Sequence, residues 1–169
     1  MRILWLICLM LTLTACGFCF RGQEQHLIGP LNTLYLEVDN PYSPLSSELR
    51  NILACAHVTL TNCRQQAPYT LEILNENSDI FTGGFGFSNQ VSLSTVKYHI
   101  TYQILNRAGM VIMCPRTVST QQSFTININQ ALSGNLIPPS LLNEMRRNVI
   151  YQLIDQLNSC ETQRLLAHA

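Results

Sequence analysis

The residues best able to carry out chemistry in this sequence are seven cysteines and four histidines. A Cys–His pair could supply a nucleophile and its base, and a cluster of these residues could bind zinc. Apart from Cys16 and Cys19, no two cysteines have the Cys-x-x-Cys spacing, and His26, His57, His99 and His168 are scattered along the chain. The HExxH, GxSxG and phosphate-binding GxxxxGK(S/T) motifs are absent as well. The sequence therefore predicts a protein that is not an enzyme and that has no metal site and no cofactor.

Cys16 differs from the other cysteines because it directly follows a hydrophobic run. Arg2 and the amino terminus supply positive charge, and residues 3–13 are almost continuously apolar, which is typical of a signal peptide. The run is shorter than the ~20 residues that a membrane-spanning helix needs. Ala15 places a small residue immediately before Cys16, and Leu13 places an aliphatic residue three positions before it. This pattern resembles the bacterial lipoprotein signal known as the lipobox.

The lipobox resemblance implies covalent modification of Cys16. Its thiol would take an S-diacylglyceryl group, residues 1–15 would be removed, and the new amino terminus would be N-acylated. Three acyl chains would anchor the protein stably, because each buried methylene contributes about 0.8 kcal/mol. Gly17 stands where an Asp would direct retention in the inner membrane, so we expect the outer membrane. The alternative is an ordinary secretory signal with a chance cysteine near its cleavage site.

Five further cysteines follow Cys16 in the sequence, and they are Cys19, Cys55, Cys63, Cys114 and Cys160. An oxidising compartment permits disulfides, but an odd number leaves at least one thiol unpaired within the chain. Cys55 and Cys63 are close enough in sequence for a local bridge. Free thiols are the alternative, because spacing alone does not give the geometry that a disulfide requires.

The composition excludes two other classes of protein. The 169 residues carry ten Lys and Arg against ten Asp and Glu, and 47% of them are hydrophobic. A net charge of zero lacks the positive field that drives nucleic-acid binding, and this hydrophobic content is too high for a disordered chain. The length fits one domain, and only 12% of the residues are charged, so its surface must be covered largely by neutral polar groups.

Hydrophobic periodicity predicts an α+β fold. The predicted elements are, in order, a strand over 31–38, a helix of about 13 residues that begins at Pro44 after Ser43, strands over 69–73 and 96–104, a long strand from 110 towards 128, and a final helix of about 19 residues. This β-α-β-β-β-α order implies two helices packed on one face of a four-stranded mixed or antiparallel sheet. Residues 106–109 predict a turn, and Pro115 indicates an edge strand or a bulge.

The predicted mature amino terminus, Cys16-Gly17-Phe18-Cys19-Phe20-Arg21-Gly22, resembles the Cys-Gly-Phe-x-Leu-Arg-Gly opening of the LPS-assembly lipoprotein family LptE, also called RlpB. Phe20 replaces the usual Leu. The resemblance continues through the element order to the final helix. We therefore expect a removed signal peptide at 1–15, a lipidated segment at 16–30, an LptE-like α+β domain at 31–160 and a C-terminal tail at 161–169.

The family resemblance implies a partner and a location. LptE lipoproteins occupy the lumen of the outer-membrane β-barrel LptD, assist its assembly, bind lipopolysaccharide and help insert it into the outer leaflet. The resemblance therefore implies a heterodimer with LptD, anchored by lipid to the outer membrane on its periplasmic side. The alternative function is a periplasmic lipoprotein that binds a lipid or glycolipid as an accessory subunit of transport.

The sequence departs from the family in its basic residues. Family members use cations in the loop between the second and third strands and before the last helix, but residues 82–94 and 127–139 contain no Lys or Arg here. Lipopolysaccharide phosphates are usually held by such side chains. Lys97, Arg107 and Arg116 are the nearby candidates, and the alternative is that they are solvated cations. The glycine-rich stretch 82–89, with Phe85 and Phe87, predicts a hairpin tip that contacts either acyl chains or the barrel wall, or is simply mobile.

Overall fold

A computed structural model of the chain describes residues 30–85, 91–127 and 137–167. Its strands are β1 (Thr33–Val38), β2 (Thr59–Thr61), β3 (Tyr69–Phe85), β4 (Val91–Asn106) and β5 (Val111–Asn127). Its helices are α1 (Pro44–Cys55), α2 (Pro139–Leu157) and α3 (Cys160–Ala167), with short 3-10 turns at Pro30–Asn32 and Arg64–Gln66. The strands form one mixed sheet in the order β2-β1-β3-β4-β5.

The sheet is wide at one end and narrow at the other. β1 lies parallel to both β2 and β3. Within β3 it pairs only with Tyr69–Ile73, at the start of that strand. β3, β4 and β5 continue as an antiparallel meander, and strands of 16 or 17 residues extend roughly 55 Å. Residues 75–85, 91–101 and 117–127 therefore form a three-stranded extension beyond the end of β1.

Helix α1 begins where the sequence places a capping residue before a proline. The Ser43 hydroxyl accepts a hydrogen bond from the Ser46 amide at 3.0 Å, and Pro44 occupies the first helical position, where it has no amide to satisfy. Leu49 and Leu53 recur at helical spacing and are fully buried against the sheet. The predicted start of this helix is confirmed.

Helix α1 ends in a Schellman motif that contains no glycine. His57 has a φ of 59°, and its amide donates to the Ala54 carbonyl at 3.1 Å. The Val58 amide donates to the Leu53 carbonyl at 3.0 Å, and both of these side chains are buried. The reversal satisfies the last carbonyls of the helix and directs the chain into β2.

Helices α2 and α3 complete the layer that covers the sheet. The buried residues of α2 recur every three or four positions, and they include Met145, Val149, Leu153 and Leu157. This helix lies on β4 and β5, and it also contacts α1. α3 packs against β5 and buries Leu166. The core is thus a single apolar layer between three helices and one sheet face.

The predicted α+β class is confirmed, although the element counts differ. The structure has five strands and three helices, whereas the sequence predicted four strands and two helices. β2 has only three residues, which is too short for an alternating pattern. α3 follows α2 almost at once and spans most of the segment predicted as a tail. The boundary predicted between residues 15 and 16 lies outside the described residues.

Candidate docking surface

One face of the sheet is not covered by a helix in the described part of the chain. Cross-strand pairing aligns its residues in rows, and we call this surface the open face. The rows are Asn75–Thr101–Thr117, Asn77–His99–Ser119, Asp79–Lys97–Gln121 and Phe81–Thr95–Ser123. None of these side chains is buried. The open face therefore presents mainly hydroxyl and amide groups over the three-stranded extension.

Side chains on the open face bond to one another across the strands. The Thr95 and Ser123 hydroxyls are 3.0 Å apart, as are those of Thr101 and Thr117. Beside the wide end of the sheet, Gln103 donates to the Glu72 carboxylate at 2.6 Å. Such cross-strand pairs stabilise the sheet and leave each hydroxyl able to form further hydrogen bonds.

Few charges interrupt this surface, and they are close to one another. Lys97 lies beside Asp79 in the pairing register, and the Nδ1 atom of His99 lies 3.6 Å from the Asp79 carboxylate. Asp79 also accepts a hydrogen bond from Asn77 at 3.0 Å. The rest of the extension's open face is neutral. A partner of this surface would need neutral hydrogen-bonding groups more than opposite charge.

The far end of the open face carries an exposed apolar pair. Phe81 is 57% exposed and Leu93 is 53% exposed. Phe81 pairs with Thr95, and Leu93 lies two residues earlier on β4, so the two side chains are diagonal neighbours on one face. The glycine-rich stretch next to them was predicted as a hairpin tip. Residues 82–85 instead lie in β3, and 86–90, including Phe87, fall outside the described residues.

A polar cluster built on two buried side chains, Tyr98 and Arg146, lies on the other side of the extension, under α2. Tyr98 donates a hydrogen bond to the Glu76 carboxylate at 2.5 Å. Burial, and then this hydrogen bond, raise the pKa of Tyr98 well above its usual value. Arg146 donates to Asn143 at 2.8 Å, and its Nε atom lies 4.0 Å from Glu76 without a hydrogen bond. The apolar alternation predicts that β3 ends before Glu76, so this cluster could not be inferred from the sequence pattern.

The three cations proposed from the sequence do not form one site. Lys97 lies on the open face, whereas Arg116 pairs in register with Tyr102 on the helix-covered face. Arg116 donates to Glu161 of α3 at 2.5 and 3.4 Å, and this hydrogen bond raises the pKa of Arg116. Arg107 lies in the turn after β4 and donates to the Ala67 carbonyl at 3.5 Å. Lys97 is thus the candidate that the open face presents.

The described cysteines are free thiols. Cys55, Cys63, Cys114 and Cys160 are all exposed and unbonded, so the structure does not form the Cys55–Cys63 bridge that the sequence left open. Across residues 30–85, 91–127 and 137–167, no group of three His, Cys, Asp or Glu side chains could hold a metal ion. Cys16 lies outside these ranges, and its lipidation remains a prediction.

No protein-family model matches the sequence, but curated relatives do. The chain is 32% identical over 155 residues to the LPS-assembly lipoprotein LptE of Yersinia pestis, in an alignment that covers 88% of this chain and 70% of that protein. The LptE of Yersinia pseudotuberculosis gives the same values. The chain belongs to the LPS-assembly lipoprotein LptE family. The family predicted from the opening heptapeptide is thereby confirmed.

Solved structures share the fold of this LptE family member. An NMR structure described as an uncharacterized lipoprotein B from Nitrosomonas europaea has a TM-score of 0.67 at 16% identity, covering 90% of this chain and 96% of that one. The crystal structure of the rare lipoprotein B from Shewanella oneidensis has a TM-score of 0.63 at 15% identity, covering 77% and 96%. At these identities the likeness concerns the fold alone.

Membership of the LptE family makes the chain a lipoprotein of the LPS-assembly class, in the bacterial envelope. Within the described ranges, each helix is too short or too polar to cross a membrane.

Proposed function

We propose that this chain is an outer-membrane lipoprotein that plugs the LptD β-barrel, assists its assembly and takes part in inserting lipopolysaccharide into the outer leaflet. The observation that carries this proposal is its 32% identity to LPS-assembly lipoprotein LptE over most of both chains. Its role is that of a non-enzymatic accessory subunit. The partners are LptD, lipopolysaccharide and the membrane that receives the lipid anchor.

The chemistry of the open face supports a position inside a barrel. Barrel interiors are lined by polar side chains, and a plug must form many neutral hydrogen bonds with them. The open face offers hydroxyls and amides at the spacing of a sheet, such as Thr117, Ser119 and Gln121 along β5. Only a few charges would have to be desolvated when this surface docks, which limits the free-energy cost of binding.

A cleft carrier for a lipid gains no support from the pocket that the described residues form beside α1. This pocket lies between the start of α1 and the bulge in β3, lined by Val38, Ser43, Leu74 and Glu76 among others. It encloses about 160 Å³, whereas pockets for small organic ligands typically enclose ~300–1,000 Å³. A multi-chain glycolipid would not fit there.

The anchor of the proposed subunit is Cys16, carrying S-diacylglyceryl and N-acyl groups. Its support is the sequence pattern of a hydrophobic run that ends in Leu13, Ala15 and Cys16. Lipopolysaccharide contact is assigned first to Lys97, because it is exposed on the open face. Arg107 and Arg116 remain candidates, although each already donates hydrogen bonds within the protein.

Affinity purification from detergent-solubilised membranes tests the proposed function. A tagged chain should recover a barrel protein several times larger than itself in a one-to-one complex. Recovery of the lipoprotein alone, with the barrel in other fractions, would contradict the plug proposal. The Cys16→Ala variant tests the anchor separately, since it should lose incorporation of labelled acyl chains.

A further inference from the structure

The outer edge of the sheet is formed by β5. Within the described ranges this strand pairs with β4 on one side and with no strand on the other. An edge strand exposes a row of backbone N–H and C=O groups that can pair with another chain. Proteins normally prevent this with short strands, charged side chains, proline, bulges or a covering element.

The first part of β5 has several of these protections. Pro115 lies where the register with β4 shifts between Met113 and Arg116. α3 lies against the same part of the strand, because Arg116 donates to Glu161 and the Thr162 hydroxyl lies 3.9 Å from the Met113 sulfur. At the opposite edge of the sheet, β2 is only three residues long.

The rest of β5 has none of the sequence features that protect an edge. Residues 117–127 contain no proline, glycine, lysine, arginine, aspartate or glutamate. They pair with Val91–Thr101 without any shift of register. At about 3.4 Å per residue, this regular uncharged edge is roughly 37 Å long. Its open-face side chains, including Ser119 and Gln121, are exposed.

We propose that residues 117–127 are a β-pairing site for an extended, uncharged segment of the barrel partner. This inference rests on the proposed function. The wall strands of a closed barrel are already paired with one another, so the segment must come from a loop or terminal region outside the wall. It must be uncharged, because this edge offers no opposite charge to a buried ion. A single copy of the chain in the lumen leaves no room for pairing with a second copy.

Residue-resolved hydrogen exchange on the full chain, with and without the purified barrel, tests this pairing directly. Successive amides of an edge strand point alternately towards its neighbour and towards solvent. Strand pairing should therefore slow exchange at least tenfold at alternate residues between Thr117 and Asn127. Unchanged exchange in a complex that does form would overturn the proposal. Protection that depends on the concentration of the free chain would also overturn it, since a second copy would then be the occupant.

Two single prolines provide the matched variants. Ser119→Pro and Thr120→Pro alter consecutive amides, so one removes a bond to β4 and the other removes an outward N–H. The variant that keeps the wild-type melting temperature is the one that lacks an outward N–H. This variant should recover several-fold less barrel from membranes. Equal recovery by that variant would overturn edge pairing while leaving the proposed function intact. If the wild-type chain recovers no barrel, the proposed function itself fails. Hydrogen exchange needs neither substitution, so it remains decisive if both variants unfold.

Discussion

Arg146 is more deeply buried than Glu76, the carboxylate that faces it. The Nε atom of Arg146 lies 4.0 Å from Glu76 Oε1, and the side chains are 7% and 32% exposed, respectively. Removing one member of such a pair leaves the other charge uncompensated, and the cost grows with the burial of the charge that remains. The loss of folding stability should therefore depend on which of the two partners is removed.

Glu76→Gln should lower the free energy of unfolding by about 2–3 kcal/mol, because it leaves the buried guanidinium of Arg146 without an opposite charge. Arg146→Met should cost less, since the carboxylate left behind reaches water and keeps its bond from Tyr98. Urea denaturation of both variants and of the double variant checks this order. A smaller loss of stability for Glu76→Gln than for Arg146→Met would show that the burial of the remaining charge does not determine the cost.

The Arg116–Glu161 pair should contribute modestly to stability. Glu161 is 68% exposed and the Arg116 side chain is 32% exposed, so solvent screens the pair to about 0.5–1 kcal/mol. A double-mutant cycle of Arg116→Gln and Glu161→Gln, followed by urea denaturation, should return that coupling energy. Because Arg116 holds α3 against β5, amides of α3 should also exchange faster in Arg116→Gln. Unchanged exchange in α3 would mean that Leu166 and its neighbours hold the helix without the ion pair.

Buried tyrosines should make the protein sensitive to alkali. Burial raises the pKa of Tyr102 to about 12, against about 10 in the unfolded chain. Between these values the unfolded chain loses a proton that the folded protein keeps. The stabilising contribution of Tyr102 is therefore complete below pH 10 and is lost as the pH rises towards 12. The free energy of unfolding of Tyr102→Phe, measured by urea denaturation at each pH, should therefore fall less steeply over this pH range than that of the wild type. Tyr42→Phe, at a side chain that is 92% exposed, should fall as steeply as the wild type.

The sequence predicted the parts of the fold that have a regular apolar period, and missed those where the period breaks. β4 alternates without interruption through Val96, Tyr98 and Ile100, so it was recognised. β3 was predicted to end at Ile73, although it continues to Phe85. A bulge between Ile73 and Asn75 shifts the alternation by one residue, and most of the side chains that follow are polar.

The candidate surface was only partly predictable. The sequence placed Lys97, His99 and Thr101 on one face of β4, and pairing in the structure confirms that arrangement. It could not show that Arg116 lies on the opposite face, since the bulge near Pro115 sets the direction of the residues after it. Periodicity within one strand also contains no information about contacts with a distant helix such as α3.

Gly109 should be required at its turn. It has a φ of +85°, and its amide donates to the Asn106 carbonyl at 2.9 Å. Gly109→Ala would place a Cβ in a left-handed conformation and 3.1 Å from the Arg64 side chain, which is flexible enough to move. We expect a loss of about 1–2 kcal/mol in urea denaturation, mostly from the backbone. Gly109→Asn should lose less, because Asn tolerates this conformation, and an equal loss in both variants would assign the cost to the Arg64 contact.

Lys97 should contribute more to lipopolysaccharide binding than Arg107 or Arg116. It is the exposed cation of the open face, whereas the other two donate hydrogen bonds to Ala67 and Glu161. One exposed contact between a cation and a phosphate is worth about 1 kcal/mol, which corresponds to roughly fivefold in affinity. Lys97→Gln should weaken binding of fluorescent lipopolysaccharide by that factor at low salt, and Lys97→Arg should retain it. Wild-type binding by Lys97→Gln, together with weakened binding by Arg107→Gln, would move the contact to the turn after β4.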